Sequence, residues 1–225
     1  MYLNYLVATL YLVAQASALP SVLHRQAVDF VDPRVNGGSL LDNAGSGGGE
    51  PLNVIISGLS SPDVLTDSGI VNFAKAIGFS TECLGIHLGD PQSANLGDGN
   101  GPQNQTIELR QDYGDPDVGT CLESLIGGNH FRVFRQNGPL APTGALFLAV
   151  SQEEPATESH TIIPDGYDLG RNSFVAGAIG SKSFGGVNYS TIAQNMTNLL
   201  PVGSNGVNHG IAIDGIVTLL TVTIE

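Results

Sequence analysis

Residues Ala145–Val150 read Ala-Leu-Phe-Leu-Ala-Val, apolar at every position, and this run restricts the fold more than any other. A strand with one face in water alternates polar and apolar side chains, so a strand without alternation has both faces covered. It belongs inside a sheet. The preceding run, His130-Phe-Arg-Val-Phe-Arg135, does alternate, with Phe131 and Val133 on one side and His130, Arg132 and Phe134 on the other. A Gly/Pro-rich turn joins the two, so residues 129–154 read as a hairpin whose first strand suits a sheet edge.

The other elements are arranged around that hairpin. Leu52–Ser57, between Pro51 and Gly58, is a second strand without alternation. Ser60 or Ser61 as cap and Pro62 at the first helical position predict a helix with Ile70, Phe73, Ala74 and Ile77 on one face. A second helix runs from a cap at Asp168 through Ile179, with Phe174, Val175 and Ala178 inward. Phe184–Tyr189 reads as a small hairpin around two glycines, and Ile192, Met196 and Leu199 as a short amphipathic helix. Ile216–Ile224 is a last strand whose alternating second half again suits an edge.

Strand, helix, strand, strand, helix, strand is the order of a ferredoxin-like βαββαβ two-layer α+β sandwich, in which the first and third strands are central. The polar stretch Gly89–Gly128 becomes a long loop insertion. Residues 51–225 are thus expected to form a single α+β domain, preceded by a flexible segment, residues 19–50, that ends in a run of glycines.

Residues 1–18 carry no charge. They hold a short apolar core at Leu6–Ala14 and the small-residue site Ala16-Ser17-Ala18, so they read as a secretory signal peptide. The expected location is extracellular, with a mature chain from Leu19 and no further run long enough to span a membrane. Eight Lys and Arg against twenty-one Asp and Glu, a net charge of −13, argue against a nucleic-acid partner. In an oxidising compartment the two cysteines, Cys83 and Cys121, pair most simply as a disulfide. Closing a loop of about 38 residues stabilises the fold by roughly 4 kcal/mol in the chain-entropy picture. Asn104, Asn188 and Asn195 stand in Asn-X-Ser/Thr sequons and are expected surface glycosylation sites.

Several of these residues resemble a known family. Asn53–Ile56 with Gly58, His130–Arg135, Ala145–Val150, and His160-Thr-Ile followed by Asp168-x-x-Arg171 are similar to the LssY-like C-terminal domain family, as found in small secreted fungal proteins. The likeness covers roughly Pro51–Ile179; where that family often has a tryptophan in the hairpin, this chain has Phe134. It implies the domain and its secretion, and brings no activity with it.

Catalytic signatures such as G-x-S-x-G, H-E-x-x-H and a P-loop are absent. Gly97-Asp-Gly-Asn-Gly101 begins like a calcium loop, but Pro102 stands where a third ligand belongs. His87, His130 and His160 all flank expected strands. With Arg132 and Asp168 they form the candidate polar or ligand-binding cluster, and their spacing points to no metal or cofactor. Asp112, Asp115, Asp117 and Glu123 offer acid pairs of the kind a glycoside hydrolase uses, or simply a solvated face. Two functions remain: a secreted, glycosylated protein that binds an extracellular surface or protein without catalysis, or an extracellular hydrolase built on the histidines and acids.

Overall fold

In a computed structural model, described over residues 27–45, 47–83 and 90–225, the chain forms one mixed eight-stranded sheet flanked by three helices. The strands are β1 (Val54–Ile56), β2 (Phe79–Ser80), β3 (Ser93–Asn95), β4 (Pro102–Asn104), β5 (Ile107–Gln111), β6 (Gly128–Arg135), β7 (Leu146–Glu153), β8 (Gly180–Phe184), β9 (Val187–Met196) and β10 (Val217–Ile224). The helices are α1 (Asp67–Ala76), α2 (Gly119–Ile126) and α3 (Gly166–Ala178). The sheet order is β2-β5-β6-β7-β1-β10-β9-β8, and β3 pairs with β4 apart from it. The sheet curls into a half-barrel.

This overturns the ferredoxin-like sandwich. That topology needs the last strand antiparallel to the first, whereas β10 runs parallel to β1. The cause lies between α3 and β10. The hairpin β8–β9 adds two strands, and β10 folds back antiparallel on the long β9, so it enters beside β1 from the opposite end. The expected helix at Ile192–Leu199 is largely this strand β9, whose Thr191 side chain is buried while Ile192 is exposed. Neither β6 nor β10 is an edge. β5 and then β2 extend the sheet beyond β6; β5 is drawn from the stretch expected to be a loop insertion, which also contains β3, β4 and α2, and β2 from just after α1. β7, without alternation, lies between β6 and β1 with Leu146–Val150 sealed from solvent.

Both faces of the sheet are covered, by different means. On the first, α1 and the second half of α3 pack over Val54, Ile56, Leu109, Phe131, Val133, Leu148, Val150 and Leu220. Phe131 meets the rings of Phe79 and Phe174 at 5.2 and 5.0 Å between centroids. α1 starts later than its sequence signal, because Thr66 rather than Ser60 or Ser61 is the cap, its hydroxyl accepting from the Gly69 amide. On the second face Ile55, Phe134, Phe147 and Leu219 are covered by chain without long helices: Leu40 and Leu52, the β3–β4 hairpin through Ala94, and Leu199–Ile213. Residues 27–45 and 47–50 of the segment expected to be flexible lie along the domain, and the amide of Leu52 donates to Leu40 while that of Asp42 donates to Glu50.

α3 passes from one layer to the other. Tyr167 packs into the second core and Phe174 and Ala178 into the first, where β7 runs on past the three residues it pairs with β1. The helix begins at Gly166, with Asp165 and not Asp168 at the cap position. Gly170 permits the crossing, since a Cβ there would lie 2.7–2.9 Å from the Ser151 backbone and the Asn129 side chain. Asn53 replaces strand pairing beyond β1: its amide accepts from the Val150 amide and donates to the carbonyls of Val150 and Tyr167. Cys83 and Cys121 form the expected disulfide, which ties α2 to the chain after β2.

Candidate binding site

Strands β5, β6 and β7 place alternate side chains on the second face: Glu108 and Arg110, then His130 and Arg132, then Ser151 and Glu153. All six are buried or nearly so, because α2, Asp42 and Glu50 close over them. Transfer of a charge out of water is costly unless it is paired, and these charges are paired with one another. Arg110 is the hub. One guanidinium nitrogen lies 3.1 Å from Glu123 of α2 and 2.9 Å from Glu153, and the other lies 3.1 Å from Glu108. Arg132 lies 2.7 Å from Glu50, whose own amide donates to Asp42 at 2.7 Å.

His130 links the two arginines. Its Nε2 lies 2.9 Å from Arg132 Nη1, and a guanidinium only donates, so Nε2 accepts and the ring proton sits on Nδ1. Nδ1 is 3.3 Å from both Glu153 Oε1 and Ser151 Oγ, where it donates. Burial first, then the positive charges of Arg132 and Arg110, holds this imidazole well below its usual pKa, so it stays neutral. His160, on the loop after β7, brings Nδ1 to 3.6 Å from Glu153 Oε2.

Five carboxyl groups thus share two guanidinium groups. Burial raises Glu123 to about 7, partly offset by Arg110. Asp42 is also raised to about 7, by burial and by the neighbouring Glu50. Burial raises Glu50 and Glu153 in the same direction against the opposing pull of Arg132 and Arg110. For the arginines burial opposes the charge, but the surrounding carboxylates win and hold both above their ordinary range. The network therefore carries exchangeable protons near neutral pH.

One edge of this network reaches a surface cleft of about 370 Å³ beside α3. Its wall holds Gln111, Tyr113, Asn129, Glu153, Glu154 and Ser173 with the backbone of Gly127 and Gly128. Gln111, Tyr113 and Ser173 also line an adjoining cleft that continues past Gly78 and Gly177. Together they form a groove along α3. Tyr113 has a left-handed backbone (φ 50°), and its hydroxyl donates to the Gly127 carbonyl at 2.7 Å, which fixes the ring in the wall.

Of the candidate cluster, His130, Arg132 and His160 come together. Asp168 does not join them: it pairs with Arg171 at 3.3 Å, which also holds Asp214 at 2.7 Å and the Ile216 carbonyl at 2.9 Å, a clamp between α3 and the approach to β10. Burial and then Asp214 raise Asp168, while Arg171 overcomes burial to hold Asp214 low. His87 lies outside the described residues. The acids Asp112 and Asp115 cap turns by accepting from Gly114, Asp117 and Val118 amides, and Glu123 points inward, so they present no opposed acid pair. Asp98 accepts from the amides of Asn100, Asn137 and Gly138 and serves as a turn clamp. Among the described residues no three of His, Cys, Asp and Glu are arranged to hold a metal ion. Asn104, Asn188 and Asn195 are exposed, as glycosylation requires.

Sequence reasoning missed Glu50, Glu108, Arg110 and Glu153. Ile107-Glu-Leu-Arg does alternate, and Glu153 continues the parity of Phe147, Ala149 and Ser151, so a strand signal existed. It was masked in the first case by the polar stretch around it. Comparison with protein-family models, with curated proteins and with solved structures found no match to this chain. No helix among the described residues is long and apolar enough to cross a membrane.

Proposed function

We propose that the chain is a secreted, glycosylated extracellular protein that binds its partner without catalysis, through the groove along α3. One observation carries this reading: Glu123 and His130 are turned inward and joined to the buried network, while the groove wall offers amides, hydroxyls and glycine backbone beside Glu154 and beside Glu153, which Arg110 already holds. Glu123 is 0% exposed and His130 0%, so neither touches a molecule seated in the groove. A general acid or base has to come within hydrogen-bond reach of the proton it moves. A pre-formed cleft with a few convergent polar groups is the usual form of a small-ligand site. The apolar leader, the disulfide and the three exposed sequons support export.

Expression in a eukaryotic host tests the location: mass spectrometry of the medium is expected to find a chain starting near Leu19 with glycans at Asn104, Asn188 and Asn195. The hydrolase reading is tested with glycoside, ester and peptide substrates. Turnover that disappears in Glu123→Gln while the fold persists would replace binding by catalysis.

A further inference from the structure

We infer that Ser39–Asn43 is a pH-sensitive strap, closed over the Glu50–Arg132 pair in acid and loosened as pH rises toward neutrality. It belongs to the second face of the sheet and does not involve the groove along α3.

The strap is wedged between β3 and the chain that leads into β1. On one side the Ser39 amide donates to the Asn95 carbonyl and the Asn43 amide to the Ser93 carbonyl. On the other the Asp42 amide donates to the Glu50 carbonyl, and the Leu40 carbonyl accepts from the Leu52 amide. Gly38 and Gly49 allow this fit, because a Cβ on either would strike the Asn95 or the Asp42 carbonyl. Leu40 is the one apolar side chain of the strap that is fully covered. β6 and β7, by contrast, pair over eight residues. A segment with so few anchors opens at a lower free energy than the core strands beneath it.

Asp42 is the strap's only ionisable side chain, and it is buried. Its Oδ1 accepts from the Glu50 amide at 2.7 Å, and its Oδ2 has no hydrogen-bond partner. The cation that faces it, Arg132 of β6, is already engaged. Arg132 Nη1 lies 2.7 Å from Glu50 and 2.9 Å from His130 Nε2, and its Nε lies 3.5 Å from Glu108 of β5. Glu153 of β7 and His209 act on Glu50, and Tyr167 of α3 feels both acids, while β3 brings no ionisable residue. An ionised Asp42 therefore sits out of water beside a second carboxylate, without a cation of its own. Burial, then Glu50, raises it to about 7 against the pull of Arg132. Lifting the strap returns the carboxyl to water, where it ionises in the ordinary range, so rising pH between the two values favours the lifted form.

The experiment is hydrogen–deuterium exchange of the full chain from pH 5 to pH 8, corrected for the intrinsic pH dependence of amide exchange and read in peptides over residues 38–43 and over β7. The opening constant of the strap is expected to rise by up to about tenfold per pH unit between pH 5 and 7 and to level off above that. β7 is expected to open far more rarely throughout. Asp42→Asn, which keeps an oxygen for the Glu50 amide, should make the strap's protection independent of pH. Glu123→Gln, at the other end of the network, should leave the strap's profile unchanged. Strap and β7 amides that follow one common profile would overturn the inference, since the whole fold would then open together. A strap profile that survives in Asp42→Asn, or that moves with Glu123→Gln instead, would overturn it as well. Should Asp42→Asn fail to fold, the comparison of strap and β7 in the unaltered chain decides.

Discussion

Strands β5, β6 and β7 show two solutions to burial on opposite sides of the same backbone. On one side Leu109, Phe131, Val133, Leu148 and Val150 form an apolar layer with Phe79 and Phe174. On the other, Glu108, Arg110, His130, Arg132 and Glu153 are shielded from water almost as completely. The first side is held by area removed from water and by ring packing, which is non-directional and indifferent to pH. The second is held by a set of mutually paired charges, in which every group depends on the partner that neutralises it. The difference teaches that alternation in a strand reports two chemistries on two faces, and not which face meets solvent.

The comparison can be broken by truncating one member on each side. Phe131→Ala is expected to be the most destabilising change, about 4 kcal/mol by urea unfolding, and equally so at pH 5 and pH 8. Arg110→Met leaves three carboxylates without their shared cation and is expected to cost about 3 kcal/mol at pH 8. At pH 5, where Glu123 holds its proton, the loss should be smaller; a loss independent of pH would show that the charged side is held by packing alone.

The pH dependence of the unaltered chain sharpens the same point. Asp42 and Glu123 titrate at about 7 in the folded protein, above the ordinary carboxylate range. The folded form binds these protons more tightly than the unfolded chain does. Their stabilising share is complete at pH values below the ordinary range and is lost as pH rises through about 7. Stability is expected to fall between pH 5 and 7 by up to about 1.4 kcal/mol per pH unit for each group, and Glu123→Gln should make the profile shallower. An unchanged slope in that variant would place the titration elsewhere. The smallest effect is expected on the outer side of α2. Leu125 is 63% exposed, so Leu125→Ser should shift stability by less than about 0.5 kcal/mol, because Glu123, Thr120 and the disulfide hold this helix from within.

Much was legible in the residues themselves. Ala145–Val150 had to be internal because it offers no polar face, and β7 lies between β6 and β1 for that reason. The hairpin at Gly185-Gly186 and the cysteine pair followed from local chemistry. The candidate residues His130, Arg132 and His160 were marked by their positions beside strands. Their acidic partners were not: Glu50 stands 82 residues before Arg132 and becomes its neighbour only when Asp42 and Glu50 close over the sheet, and Glu153 lies beyond the end of the apolar run that marks β7.

The sequence alone thus determined where strands without alternation must go, which face of α1 turns inward, and which sulfurs join. These are short-range consequences of side-chain periodicity and backbone preference. Tertiary structure alone decided the direction of β10, the burial of a face that reads as polar, and the meeting of five carboxyl groups with two guanidinium groups. Each of these depends on long-range strand pairing and on the cost of leaving a buried charge unpaired, and neither is written in any single segment of the chain.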